Sequence, residues 1–278
     1  MYSNSEQILS ASITIIITVL MLSIALPSIT TNIIIYRQQQ EALAIQGDTR
    51  TPTTTTNAAC GQVIEGHVEL NSDLNCSGDG LIVGADGTTI RLNGHTIRGL
   101  GTDSSKVGIS VINKDGVRIE GKGTIERFQA GILLSGAEGT SIKQMMLRAN
   151  QIGVFSIGTG GLQAMQNIIT KNNIGFTSQS SNALELTQNL ITANQLVGIT
   201  LNTTDNSLIS KNDVRESHNG IFVDPESNSN RIESNDLFEN GVDLNNANGL
   251  AINVNSNSFS ANNCEISNPS GLCIVGTK

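Results

Sequence analysis

The 278-residue chain contains no tryptophan, and its two tyrosines, Tyr2 and Tyr36, both fall within the first 36 residues. Beyond that point phenylalanine is the only aromatic residue. Platforms on which a sugar ring stacks are therefore scarce. Cations are scarce as well: 16 Lys and Arg stand against 24 Asp and Glu, a net charge of −8. No basic run occurs, which excludes a nucleic-acid interface, because phosphate neutralisation requires clustered cations. The three histidines, His67, His95 and His218, are too dispersed to share a metal, and no His/Cys/Asp set has catalytic spacing. The cysteines lack Cys-x-x-Cys spacing, which argues against structural zinc. After residue 60 the poor helix formers Gly, Asn, Ser and Thr are so frequent that helices are hard to place.

What the chain has instead is a period. Apolar residues recur at a step of 22 or 23 residues in three columns. One reads Ile109, Ile132, Val154, Phe176, Ile199, Ile221. A second reads Ile119, Ile142, Ala164, Leu186, Ile209, Ile232, Val254. A third reads Ile125, Leu147, Ile169, Ile191, Val214, Leu237, Phe259. A fixed period of this length marks a stacked repeat. Within each repeat apolar and polar residues alternate, as in Val68-Glu69-Leu70 and Ile90-Arg91-Leu92, which is the pattern of half-buried strands. Three short strands per repeat predict a coil, and coils stacked about 4.8 Å apart predict a rod of about nine coils, roughly 40 Å long.

Other columns follow from the same stacking. Glu69 with Arg91, and Glu120 with Lys143, fall in register as opposite charges, each pair contributing about 0.2–1 kcal/mol. Asn167, Asn189, Asn212, Asn235 and Asn257 form one polar column. Asn150, Asn172, Asn194, Ser217, Asn240 and Asn262 form another. Asn is expected at corners, where it tolerates left-handed backbone and can bond along the stack. Gly108, Gly131, Gly153, Gly175, Gly198 and Gly220 precede the first strand, where a turn of positive φ is expected.

The run Gly80-Leu81-Ile82-Val83-Gly84-Ala85-Asp86, then Ile90-Arg91-Leu92-Asn93-Gly94-His95-Thr96-Ile97, resembles the first coil of right-handed parallel β-helix repeat proteins. The later Asn-x-Ile-x-x-Asn-x-x-Gly-Ile pattern is similar to that family's repeat. The resemblance covers residues 60–278. It implies an all-β, right-handed parallel β-helix solenoid in a pectate-lyase-like superfamily. That superfamily includes alginate epimerases, periplasmic copper-accessory proteins and surface adhesins.

Residues 1–35 are expected to be a signal peptide or membrane anchor, a hydrophobic helix built on the apolar run from Ala11 to Leu26. Glu6, with no Lys or Arg in the first turn, departs from the usual signal-peptide pattern. Residues 36–59, with Thr51-Pro52-Thr53-Thr54-Thr55-Thr56, read as an exposed linker. Arg37 favours a cytoplasmic C-terminus. The cysteines argue the other way and carry more weight. Cys60 and Cys76 open the repeat region and Cys264 and Cys273 close it, two local pairs that read as disulfides in an oxidising compartment. Each closed loop is worth about 3 kcal/mol in the chain-entropy model. Both pairs are placed to cap the open edges of the stack.

Candidates for chemistry are few. Asp213 with Asp236, and Glu216 with Glu239, stack as like charges on adjacent coils, a donor set suited to Ca²⁺, or else a solvated acidic face softened by Lys211 and Arg215. Asp224, followed by Pro225 and Glu226, resembles the Asp-Pro element of uronate-polymer epimerases. The neighbouring Tyr and following His are missing, and a turn is the preferred reading. Met145, Met146 and Met165 share no column, so a copper-binding Met ladder is not supported. Asn202-Thr203-Thr204 is a glycosylation sequon. The expected function is that of an extracytoplasmic surface module, secreted or membrane-anchored, that binds a polysaccharide, the envelope or a protein partner without catalysis and requires no cofactor. The alternative is a polysaccharide lyase or uronate epimerase.

Overall fold

The structure is a computed structural model that describes residues 54–55 and 57–274. The N-terminal hydrophobic segment and most of the linker lie outside the described residues. Residues 50–278 form one unit, an all-β parallel solenoid of about nine turns. Its strands assemble into three parallel sheets of ten, nine and ten strands. Sheet I runs from Thr54–Thr55 and His67–Glu69 to Ser258–Ser260, sheet II from Leu74–Asn75 to Asn263–Cys264, and sheet III from Gln62–Ile64 to Ser267–Asn268.

Most strands of sheets I and II have three residues, and the central one points inward. Thr89–Arg91 and Met146–Arg148 each bury only their middle residue. Single inward residues stacked at every turn make three continuous ridges. On sheet III, Ile109, Ile132, Val154, Phe176, Ile199, Ile221 and Leu244 lie side by side. Each is fully buried, and burying one such side chain contributes about 1.5–3 kcal/mol.

The ridges follow the sequence period until the final coil. There an excursion between Val242–Asn246 and Ser258–Ser260 lengthens the repeat. Phe259 pairs with Ile232 on sheet I, and Cys264 pairs with Leu237 on sheet II. Val254, expected in the second column, is 63% exposed. Phe259 sits one sheet earlier than its spacing predicts. The Asn columns shift for the same reason: Asn235 is followed by Asn262, while Asn257 follows Asn230.

The Gly column also has a different cause from the one expected. None of these glycines has positive φ. A Cβ on Gly153 would stand 2.5 Å from the Gly175 carbonyl oxygen, and one on Gly175 would stand 2.5 Å from that of Gly198. Close approach between coils, not turn geometry, requires glycine here. The left-handed corners are held by other residues, among them Gln144, Ala149, Gln166, Lys171, Gln188 and Ala193.

Asn follows each of these corners except Gln144, which Met145 follows, and works through its side chain. Asn172 Oδ1 accepts from the Asn150 backbone N–H (2.9 Å) and from Asn150 Nδ2 (3.2 Å), while its own Nδ2 donates to Leu147 O and Asn194 Oδ1 (both 3.0 Å). Repetition of this pattern satisfies the buried corner backbone and offsets the roughly 1–2 kcal/mol that each left-handed residue costs.

Both disulfides form, Cys60–Cys76 and Cys264–Cys273. Pairing begins slightly before the first cysteine, since Thr54–Thr55 joins sheet I beside His67 and Val68 and Ala58 is buried in the core. Among the described residues no helix is long and apolar enough to cross a membrane.

Candidate functional site

The acidic cluster assembles in part, around a cation of its own. Asp213 and Asp236 are partners on adjacent strands of sheet II. Glu216 and Glu239 occupy the left-handed corners that follow. Arg215 binds both carboxylate oxygens of Asp213, one of them at 2.9 Å, and stands 5.9 Å from the centre of the Phe238 ring. The Asp213 hydrogen bond, with attraction from Glu239 and Asp236, holds the guanidinium above its ordinary pKa. Asp236 accepts from Asn263 Nδ2 at 3.2 Å. Among the described residues no three His, Cys, Asp or Glu are grouped so as to hold a metal ion.

Asp224 is committed to its turn. One carboxylate oxygen accepts the Ser227 N–H (2.8 Å) and Oγ–H (2.5 Å), and the other accepts the Thr203 N–H (3.1 Å). Asp243 is held likewise by Asn240 Nδ2 and by the N–H groups of Glu265 and Ile266. Each of these carboxylates accepts three hydrogen bonds, two of them from backbone N–H groups, and is thereby held in place. Asn202 is half-buried, and the sequon hydroxyl of Thr204 is fully buried against Ser178.

The Glu69–Arg91 pair forms at 3.4 Å. Arg91 also reaches Glu120 at 2.9 Å, so Glu120 pairs with Arg91 and not with Lys143. The Glu69 carboxyl is held below the usual carboxylate range, chiefly by its hydrogen bond from His67 and then by Arg91.

A regular surface feature lies at the corner between sheets I and II. Lys122, Gln144, Gln166, Gln188 and Lys211 occupy it in successive coils, all left-handed. Gln144 Nε2 donates to Gln166 Oε1 (3.5 Å), and Gln166 Nε2 to Gln188 Oε1 (3.3 Å). This amide ladder separates two depressions. One, of about 520 Å³, is lined on the sheet II side by Lys122, Thr124, Met146 and Ile168. The other, of about 340 Å³, is lined on the sheet I side by Arg91, Glu120 and Lys143. The even step from 144 to 166 to 188 was readable in the sequence, but identical polar residues on the period carry no apolar signal and were not singled out.

Of the six phenylalanines, Phe128, Phe155, Phe176 and Phe259 are buried, and Phe222 and Phe238 are half-buried. Broad aromatic platforms are therefore lacking among the described residues.

Three short strands per turn in parallel sheets, with Asn ladders at the corners, define a parallel β-helix protein. Residues 72–271 match the family described as periplasmic copper-binding protein (NosD), and the chain belongs to that family. None of the curated proteins compared matches it. Among solved structures it is similar to the enzymatically active domain of bacteriophage CBA120 tailspike protein 2, at 15% identity over 78% of this chain, with a TM-score of 0.51. The chain spans 38% of that protein's length. It is also similar to a periplasmic alginate epimerase, at 13% identity over 72% of this chain and 68% of the other, with a TM-score of 0.47. The likeness to the tailspike domain shows the fold alone. The family description and the two disulfides both speak for an extracytoplasmic compartment.

The described residues do not gather a copper site. His67 bonds Glu69 at 2.9 Å and His95 approaches Asp73 at 3.4 Å. Met145 is buried, while Met146 and Met165 lie on different sheets. All four cysteines are in disulfides. Soft and imidazole ligands must converge to hold copper, and these do not.

Proposed function

We propose that this chain is an extracytoplasmic β-helix module that binds a polysaccharide without transforming it. It is held at the membrane or released according to the fate of its N-terminal apolar segment. The observation that carries the reading is the corner between sheets I and II, where an amide ladder spanning three coils is flanked by two depressions. Asp224, the one residue that resembles a catalytic element, accepts hydrogen bonds from the Ser227 and Thr203 backbone N–H groups. A rigid solenoid binds with little ordering cost, because its face is already organised.

A second reading, a polysaccharide-active enzyme, is favoured by the likeness to the tailspike's enzymatically active domain. A glycan panel read for both retention and cleavage separates the two. Retention without new reducing ends or unsaturated products supports a binder. Cleavage or epimerisation abolished by Asp224→Ala establishes the enzyme.

A further inference from the structure

We propose that the corner between sheets I and II is a groove for an acidic oligosaccharide laid along the solenoid axis, with about one sugar per coil. The proposal rests on the polysaccharide-binding reading and gives it a place and a charge class.

Gln144, Gln166 and Gln188 form the polar rail. Within the ladder Gln166 uses one N–H and one acceptor position, which leaves a second N–H and a second lone pair directed away from the rail. Each rung therefore offers a donor and an acceptor, as a sugar hydroxyl edge requires. The bonds between rungs already restrict the side chains, so less rotamer freedom remains to be lost on binding.

Beside the rail runs an apolar stripe. Met146, Ile168 and Leu190 are partners on successive strands of sheet II. Ile168 is 37% exposed and Leu190 38%. Aliphatic side chains at this spacing supply a surface for the C–H faces of sugar rings, where the described residues include no Trp or Tyr. Strands recur about every 4.8 Å, close to the length of a pyranose unit, whereas an extended peptide repeats its facing side chains about every 6.7 Å. A glycan stays in step with the coils and a peptide drifts out.

Charge selects the class of glycan. Lys122 and Lys143 form no ion pair among the described residues. Arg91 is oriented by Glu69 and Glu120. Three cations, Arg91, Lys122 and Lys143, thus stand against two carboxylates, Glu69 and Glu120, around the groove of a chain whose net charge is −8. Like-charged surroundings repel anions elsewhere, so this local reversal directs them here.

The test is calorimetric titration of the full chain with cello-oligosaccharides of increasing length, their C6-carboxylated counterparts, and poly-glutamate. The carboxylated oligomers should bind, with affinity rising up to about four sugars, the span from Lys122 to Gln188 at one ring per strand spacing. Lys122→Glu with Lys143→Glu should weaken them by about tenfold or more, and so should Gln166→Asn with Ile168→Asp. All four positions lie at the surface, and unchanged melting curves verify that the variants fold. Wild-type binding that neither double variant alters overturns the groove and leaves the functional reading standing. No binding of any glycan overturns both. Equal affinity for the neutral oligomers overturns the charge class, and poly-glutamate binding that responds to both variants overturns the glycan in favour of an acidic peptide.

Discussion

Asn189→Ala probes the ladder on which the solenoid's corners depend. Asn189 Oδ1 accepts the Asn167 backbone N–H and Asn167 Nδ2, both at 3.0 Å. Its Nδ2 donates to Ala164 O and Asn212 Oδ1, both at 2.9 Å. The residue is 1% exposed, so water cannot replace these partners. Truncation strands one backbone N–H and one amide N–H of Asn167 in the interior. A buried donor left unmade costs about 1–3 kcal/mol, so the loss should be about 3–5 kcal/mol before any cavity term. That is a large fraction of a total stability of about 5–15 kcal/mol. Urea denaturation followed by circular dichroism measures it, with the exposed Gln195→Ala as a control expected to move by less than about 0.5 kcal/mol. Each coil touches only its neighbours, so the damage should be local. Hydrogen exchange should accelerate in the coils that carry Asn167 and Asn212, while coils near Ile90 keep their protection. A loss below about 1 kcal/mol, or uniform acceleration along the rod, would refute the claim that the ladder satisfies the corners.

Other expectations are equally direct. Gly153→Ala should destabilise by about 1–3 kcal/mol through overpacking against the Gly175 carbonyl 2.5 Å away, and a neutral result in the same denaturation assay would show that the coils can part. Cys60→Ser with Cys76→Ser should cost about 3 kcal/mol and should raise exchange first at the N-terminal coils. Arg215→Ala removes the internal counter-charge of Asp213, Asp236 and Glu239, so the variant should lose stability as pH rises through the carboxylate range and recover it with added Ca²⁺. A wild-type melting temperature that itself rises with Ca²⁺ would instead point to the acidic cation site. The folded-state pKa of Glu69 is depressed. Its contribution is therefore present above the unfolded carboxylate range and disappears as pH falls through the depressed value. Carboxyl NMR titration should show that value rising in His67→Ala.

The period made most of the fold legible, because stacked strands place one apolar residue at one interval. It failed at the last coil, where the longer excursion shifted the frame while Val254 and Phe259 still happened to fall on apolar positions. The Gly column was seen and misread, since sequence alone cannot tell a positive φ from a carbonyl pressing on the α-carbon. Of the acidic residues, Asp213 and Asp236 do stand side by side on adjacent strands. What the spacing could not convey was that Arg215 turns onto Asp213. Asp224 was visible as a turn residue, and its saturation by Ser227 and Thr203 came only with coordinates.

The Asn ladders have a direction. From Asn150 through Asn172 to Asn194, and from Asn167 through Asn189 and Asn212 to Asn235, every bond between carboxamides runs from an N–H to the oxygen of the Asn in the next, C-terminal coil. Their dipoles add in series, and aligned hydrogen bonds of this kind polarise one another. The solenoid is thus vectorial: its two ends are electrically unlike, and a further coil would be accommodated only in the same orientation as those already present.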